Sequence, residues 1–301
     1  SETEKHQSKR DQVVDVRDKM KEFSTQDVLI GRISRTYLID NYLIVTDYNS
    51  PDKLIHLFDK NTFEHLASST YQGQGPGEIT IIGHVGIDET NRRFFVSDHG
   101  KLKIFAYDLD SVLTTPEYQP SVKIDMKKKL FPDDYLYLND TLCIARIIEP
   151  IGNNDYKPSV ARWNMATGEI NPMPYEYPDL KKVRFIYAAS AEHQLYVQCY
   201  TQYYQKKVTI PKDWTICDFN GNLKCNIYGP KWVNEKTQTQ HYSLGVEFCG
   251  DKILALYSGG DHRTDAYYPT KCLVFDLNGN YLKTLETGYM ITDFCYDKEN
   301  N

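Results

Sequence analysis

No apolar run in the chain approaches the roughly 20 residues that cross a bilayer, so no segment reads as a membrane-spanning helix. Basic excess is missing too: 35 Lys and Arg stand against 41 Asp and Glu, a formal net charge of −6, which argues against nucleic acid as a partner. The seven cysteines are an odd number, so a fully paired disulfide framework is excluded for a monomer. Their spacing fits no zinc pattern. Cys143, Cys199, Cys217, Cys249, Cys272 and Cys295 fall in predicted strands and Cys225 follows Asn220-Gly221, so all are expected as buried free thiols. A two-residue turn at Asn220-Gly221 would set Cys217 opposite Lys224, off register for a bridge to Cys225. Tryptophan is scarce at 3, whereas tyrosine reaches 24. Tyr suits half-buried strands and polar ligand faces alike.

What is present is a repeat. Val246–Leu285 reads as an apolar strand turning at Gly250-Asp251 into a second, then a loop, then two more strands joined at Asn278-Gly279. Asn-Gly between β-rich runs is a strong hairpin signal. Four antiparallel strands joined by tight turns make a propeller blade. Equivalent units are expected at about 35–70, 84–120, 134–172, 184–228 and 242–286. Their hairpin positions Asp59, Asp108, Asn164, Asp218 and Asp276 lie 49, 56, 54 and 58 residues apart. A period near 50 with four strands per repeat is propeller spacing. The expected fold is therefore an all-β, six-bladed β-propeller of four-stranded antiparallel blades. Its last blade would join 289–301 to strands from 12–34, with one or two helical turns in Arg17–Phe23. Residues 1–11 are polar and patternless and read as a disordered leader, with 12–301 as one propeller domain. No signal peptide is present, and such a start reads as a mature form whose export signal has been cut off. The unfinished sixth repeat reads either as a longer natural chain or as an unusual closure, with a five-bladed ring as the alternative count.

Between the first two units lies Gln72-Gly73-Gln74-Gly75-Pro76-Gly77-Glu78. A phosphate loop would need Lys-Ser/Thr and a helix next, but Glu78 and a β-branched run follow, so a sharp crossing is the better account. Gly73–Glu78, together with blades ending in Phe-Asp-x-Asn-Gly-Asn, resembles the six-bladed β-propeller lipoproteins of Bacteroidetes, related to NHL-repeat and TolB-like propellers. The resemblance runs from about Val13 onward. It implies an exported protein of the cell envelope, in the periplasm or at the outer membrane or cell surface. It would meet the membrane only through an N-terminal lipid anchor absent from this chain. The resemblance carries over no catalytic residue.

Candidate site residues follow from topology. Short turns crowd one face of a propeller, and the long loops 147–158, 200–213 and 258–270 with crossings 121–134, 171–185 and 226–243 would crowd the other. Segments 171–185, 200–214 and 226–243 hold eight basic residues against four acids, with many tyrosines and two tryptophans. Rings that stack on sugars beside cationic groups suit a glycan or anionic ligand. Arg184, Tyr200, Tyr203, Tyr204, Lys206, Trp232 and Tyr242 are the candidates there. A second group, His84, Asp98, Arg146 and His241, falls where strands should open onto a central channel. Loop packing and inter-blade ion pairs are the competing structural account of both groups. Asp261, His262, Arg263 and Asp265 make only a weak metal set.

Two function classes remain. The leading one is an exported, non-enzymatic binding or scaffold propeller with a glycan or protein on the long-loop face, monomeric and without cofactor. The alternative is a metal-dependent lactonase- or lyase-like enzyme with its site in the channel, which needs three or four inward ligands that the inner strands hardly offer. Sialidase Asp boxes are missing: Ser97-Asp98-His99-Gly100 has the wrong spacing.

Overall fold

The structure is a computed structural model; it describes residues 2–25, 27–176, 183–203, 212–229, 242–258 and 269–301, with the side chains of 183, 201–203, 212 and 242–244 also left out. Where the sequence reading takes 12–301 as one domain, the contacts gather the chain into two compact units. One comprises Glu22–Tyr156 with Val160–Pro172, the other Ser1–Lys21, Lys157–Ser159 and Met173–Asn301.

The chain opens with two short strands, β1 (Glu4–His6) and β2 (Val13–Asp15), and a single helical turn at Arg17–Lys19. The first unit then builds three sheets in chain order. They are β3 (Ser34–Ile39), β4 (Tyr42–Asp47), β5 (Lys53–Asp59) and β6 (His65–Tyr71); β7 (Ile82–Asp88), β8 (Arg93–Asp98), β9 (Lys103–Asp108), then helix α1 (Leu109–Thr114) and β10 (Ser121–Asp125); and β11 (Phe131–Asn139), β12 (Leu142–Gly152), β13 (Asp155–Trp163) and β14 (Ile170–Pro172). The second unit holds β15 (Val183–Ser190), β16 (Leu195–Tyr203), β17 (Lys212–Asp218) and β18 (Leu223–Tyr228). Its other sheet is β19 (Tyr242–Cys249), β20 (Lys252–Tyr257), β21 (Lys271–Asp276) and β22 (Tyr281–Glu286). All five are antiparallel meanders, the blades that the repeat predicts.

Period-two apolar patterning gives each blade two buried faces, which pack on their neighbours. In the first unit Ile39, Ile44 and Leu57 meet Val85, Phe94 and Val96, and Phe95 and Ile104 meet Tyr135 and Trp163. In the second, Trp214 meets Phe275 edge-on at 4.5 Å. Each such ring, removed from water, contributes about 1.5–3 kcal/mol. The first strands β7 and β11 approach so closely that the Tyr135 ring lies over Gly86, where a Cβ would collide with it.

The repeated Asp or Asn has a turn-forming role. Asp59 accepts from the amides of Asn61 and Thr62, Asn164 from Ala166 and Thr167, Asp218 from Asn220 and Asn222, and Asp276 from Asn278 and Asn280, all at 2.8–3.1 Å. These side chains replace a backbone acceptor and hold the turn. The Asn-Gly turns are not two-residue hairpins. Only Gly221 and Gly279 take positive φ, both +80°, and Gly221 N donates to Asp218 O while Asp218 N donates to Asn222 O. That is a longer turn with a glycine bulge. The extra residue shifts the register, so Cys217 faces Leu223 and Cys225 faces Ile216. Asp108 departs from the series. Its carboxylate accepts from Ser111 N and caps α1, so the fourth strand of that blade is β10, in a stretch that the sequence reading left as a crossing.

The expected sixth blade does not form among the described residues. No strand follows Glu286. The tail instead bonds Ile291 N to Pro269 O and lays Phe294 and Tyr296 over Gly245 and Gly250 of the fifth blade. The N-terminal strands pair elsewhere, β2 parallel to β22 and β1 parallel to β18. Both cover blade edges whose peptide groups would otherwise be unpaired. Part of the expected disordered leader is thus ordered. His6 stacks on Tyr228 at 4.5 Å, and Arg10 forms an ion pair with Asp213, their side chains only 8% and 5% exposed. All seven cysteines are free, five of them buried, and Cys295 lies outside the strand expected for it.

Candidate functional site

The first strands of the three blades in the first unit lie side by side, and their N-terminal ends carry polar side chains. His84 enters from β7 at an irregularity between Ile82 and Val85 that breaks the pairing with β8. Its Nε2 lies 2.8 Å from the Tyr135 carbonyl and its Nδ1 3.3 Å from an Asp134 carboxylate oxygen of β11. The carbonyl only accepts, so Nε2 carries the proton and Nδ1 faces Asp134 as an acceptor until the ring is protonated. Tyr37 of β3 meets the imidazole edge-on at 5.5 Å. Beside it Arg146 of β12 grips Asp133 with two parallel bonds, Nε to Oδ1 at 2.8 Å and Nη2 to Oδ2 at 2.6 Å. Both side chains are 20% exposed. This fork-on-carboxylate geometry is the strongest ion-pair form. The charge pair, for all the burial that opposes it, holds the guanidinium pKa above its ordinary value. His99, just after β8, leans on Phe131 at 5.5 Å, and burial pushes its pKa down, against the pull of Asp133 and Asp98.

Two carboxylates, a guanidinium and two imidazoles therefore share one rim within the first unit, partly open to solvent. Such a set presents donors and acceptors to a polyhydroxylated ligand without a strong net field. Among the described residues no three His, Cys, Asp or Glu side chains converge as a metal site.

The sequence candidates divide three ways. His84 and Arg146 belong to this rim. Asp98 sits behind it, fully buried, with both oxygens spent on backbone amides: Thr80 at 2.8 Å, Ile81 at 3.1 Å, Gly100 at 2.9 Å and Lys101 at 3.1 Å. It pins the glycine-rich crossing to the second blade and is not offered to a ligand. In the second unit Tyr200 is buried, its hydroxyl 2.7 Å from Thr215 Oγ1, and Arg184 is half-buried opposite Gln202. Tyr203 and Tyr242 lie in β16 and β19, but their side chains fall outside the described set, and Tyr204, Lys206, Trp232 and His241 lie outside the described residues. So do 261–265.

The sequence places Asp134 with His84 at the mouth of the channel but gives no role to His99 or Asp133. The signals were the His after a failed Asp box and an Asp-Asp pair at the start of an inner strand.

The fold defines the class: an all-β propeller with antiparallel blades. A family model described as a 6-bladed beta-propeller matches residues 6–140. The chain is also similar to solved structures. A member of the duf4221 family from Bacteroides vulgatus is 10% identical, over 83% of this chain and 80% of that one, with a TM-score of 0.52. A Bacteroides fragilis protein inferred to be exported is 12% identical, over 94% and 78%, with a TM-score of 0.50. A gluconolactonase from Xanthomonas campestris is 14% identical, over 86% and 76%, with a TM-score of 0.50. At these identities the likeness is one of fold. No curated protein matches the sequence. No helix among the described residues is long and apolar enough to cross a membrane.

Proposed function

We propose that the protein is an exported binding propeller of the cell envelope whose ligand is a glycan, held at the rim formed by His84, Asp133, Asp134 and Arg146. The observation that carries this reading is the pairing of His84 with Asp134 beside the Arg146–Asp133 fork, at the ends of adjacent inner strands. Carboxylates accept from sugar hydroxyls, as does the imidazole Nδ1, and the guanidinium donates, while the partly exposed Tyr37 supplies a ring beside them. Export is supported by the polar, β-rich chain and by the Bacteroides fragilis likeness. The fold is shared with a gluconolactonase, so the lactonase-like alternative stays as the second reading. It requires several convergent acidic, amide or imidazole ligands, and among the described residues no three His, Cys, Asp or Glu side chains converge.

A glycan array screened with the wild-type chain, followed by calorimetric titration of the best hit, tests the proposal. Asp134→Ala and His84→Ala should each weaken binding about tenfold, the equivalent of one charge-assisted hydrogen bond, with little change in Tm. Binding that survives both substitutions but is lost in a Tyr203→Ala, Tyr204→Ala double variant would move the site to the long-loop face.

A further inference from the structure

The outer strands of the first blade carry a second constellation, independent of the rim. His56 on β5 and Ser68 on β6 are cross-strand partners, so their side chains stand on the same face of the sheet. A register shift between Leu57 and Phe58 brings His65, at the start of β6, back onto that face. Ser68 Oγ lies 2.7 Å from His56 Nδ1 and 2.7 Å from His65 Nε2. All three residues line a cleft of about 590 Å³. Its walls mix apolar residues, Val28, Leu66, Val112, Leu113 and Pro116, with the charged Asp27, Asp52 and Lys53. That volume lies within the range of small-molecule sites.

Proton bookkeeping fixes the roles. A serine hydroxyl has one proton to donate and lone pairs to accept. With an imidazole nitrogen on each side, it donates to one and accepts from the other. His56 is 3% exposed and its Nε2 has no partner among the described residues. An unpaired buried acceptor is tolerated better than an unpaired buried donor, so His56 carries its proton on Nδ1 and donates it to Ser68. The Ser68 hydroxyl then donates to His65 Nε2. Burial, with His65 nearby, lowers the His56 pKa and keeps that ring neutral. The result is a hydroxyl aimed at a base, its oxygen held by a second ring. That is the geometry of an activated serine.

We propose that Ser68 is a nucleophile with His65 as its general base, taking the acyl group of small carboxylic esters that enter the first-blade cleft. Ser68 Oγ attacks the ester carbonyl carbon as its proton passes to His65 Nε2. The C–O bond to the alcohol breaks, and the alkoxide leaves with the proton from His65. Water, deprotonated by the same ring, then attacks the acyl carbon; the bond from that carbon to Ser68 Oγ breaks, the carboxylic acid leaves, and Oγ takes the proton back from His65. His56 orients the hydroxyl and does not touch the substrate.

The test uses the full chain with a fluorophosphonate probe and with p-nitrophenyl acetate. With the probe, the Oγ–P bond forms, the P–F bond breaks and fluoride leaves. Peptide mass spectrometry should place the adduct on Ser68, and p-nitrophenyl acetate should release p-nitrophenolate. Ser68→Ala should abolish both. His65→Gln should slow labelling about 100-fold, the usual contribution of a positioned base, with the Tm showing that the variant is folded. Absence of an adduct on the wild-type chain, an adduct elsewhere, or labelling that His65→Gln leaves unchanged would each overturn the proposal. Because the Asp134 and His84 variants leave this cleft intact, its failure is separable from failure of glycan binding.

Discussion

At the scale of single residues, the fold takes in two imidazoles at a cost that pH reveals. Burial lowers the pKa of both His56 and His99 below the ordinary value of 6.5. The unfolded chain therefore binds more protons than the native one once the pH falls below about 6.5. Their contribution to stability is fully present above that value and is lost as the pH drops toward the folded pKa values. The expected outcome is a Tm that is flat from pH 8 to about 6.5 and declines toward pH 5, with a shallower decline in His56→Gln or His99→Gln. A wild-type Tm independent of pH over that interval would refute it. The carboxylates act in a separate window. Burial alone would raise the Asp88 pKa, but Arg93 and Asn91 outweigh it and the net shift is downward, so its contribution is lost only in acid below about 4. The sequence groups His84, Asp98 and Arg146 alike, and the structure sets Asp98 apart, bonded to the amides of Thr80, Ile81, Gly100 and Lys101. Nothing in a sequence says that a carboxylate will be taken up by four backbone amides.

At the scale of elements, hairpins and strands were legible and their exceptions were not. Alternating apolar residues set the blade boundaries to within a few positions. The tight turns were located correctly, but their type depends on the φ of one residue, and the register of two cysteines moved with it. The segment from Leu109 continued a strand pattern by composition, yet Asp108 with Ser111 is an N-cap pair, and the cap decided for helix. The N-terminal segment was hidden by its polarity. A strand that only covers an edge needs backbone groups and a few specific partners, not an apolar face. For that reason removal of residues 1–11 should be costly. It uncovers the β18 edge and leaves Asp213 buried without Arg10, the kind of loss that costs about 3–5 kcal/mol. Urea unfolding of the 12–301 chain should show a midpoint clearly below that of the full chain. An equal midpoint would mean that β1 and Arg10 add nothing to stability.

At the scale of the whole molecule, the period near 50 residues carried the fold class, because four of the five blades repeat the same Asp or Asn turn. The N-terminal edge pairing was not legible: pairing between segments more than 200 residues apart leaves no local mark. The thiols give a molecule-wide check. Burial pushes Cys143 and Cys272 up to about 12, and a protonated, enclosed thiol reacts slowly. Ellman's reagent should find all seven after denaturation without reductant, and in the native protein at most the half-buried Cys249 and Cys295 should react quickly. Rapid native reaction of more than two would contradict the packing. The parallel edge strands have a consequence for biosynthesis. Glu4 waits for Asn226, 222 positions later, and Val13 for Thr284. Residues 4–15 are therefore made long before their docking edges exist, and they latch last. Until then two bare blade edges are open to any other extended chain, and a factor that holds this segment would govern how much of the protein folds.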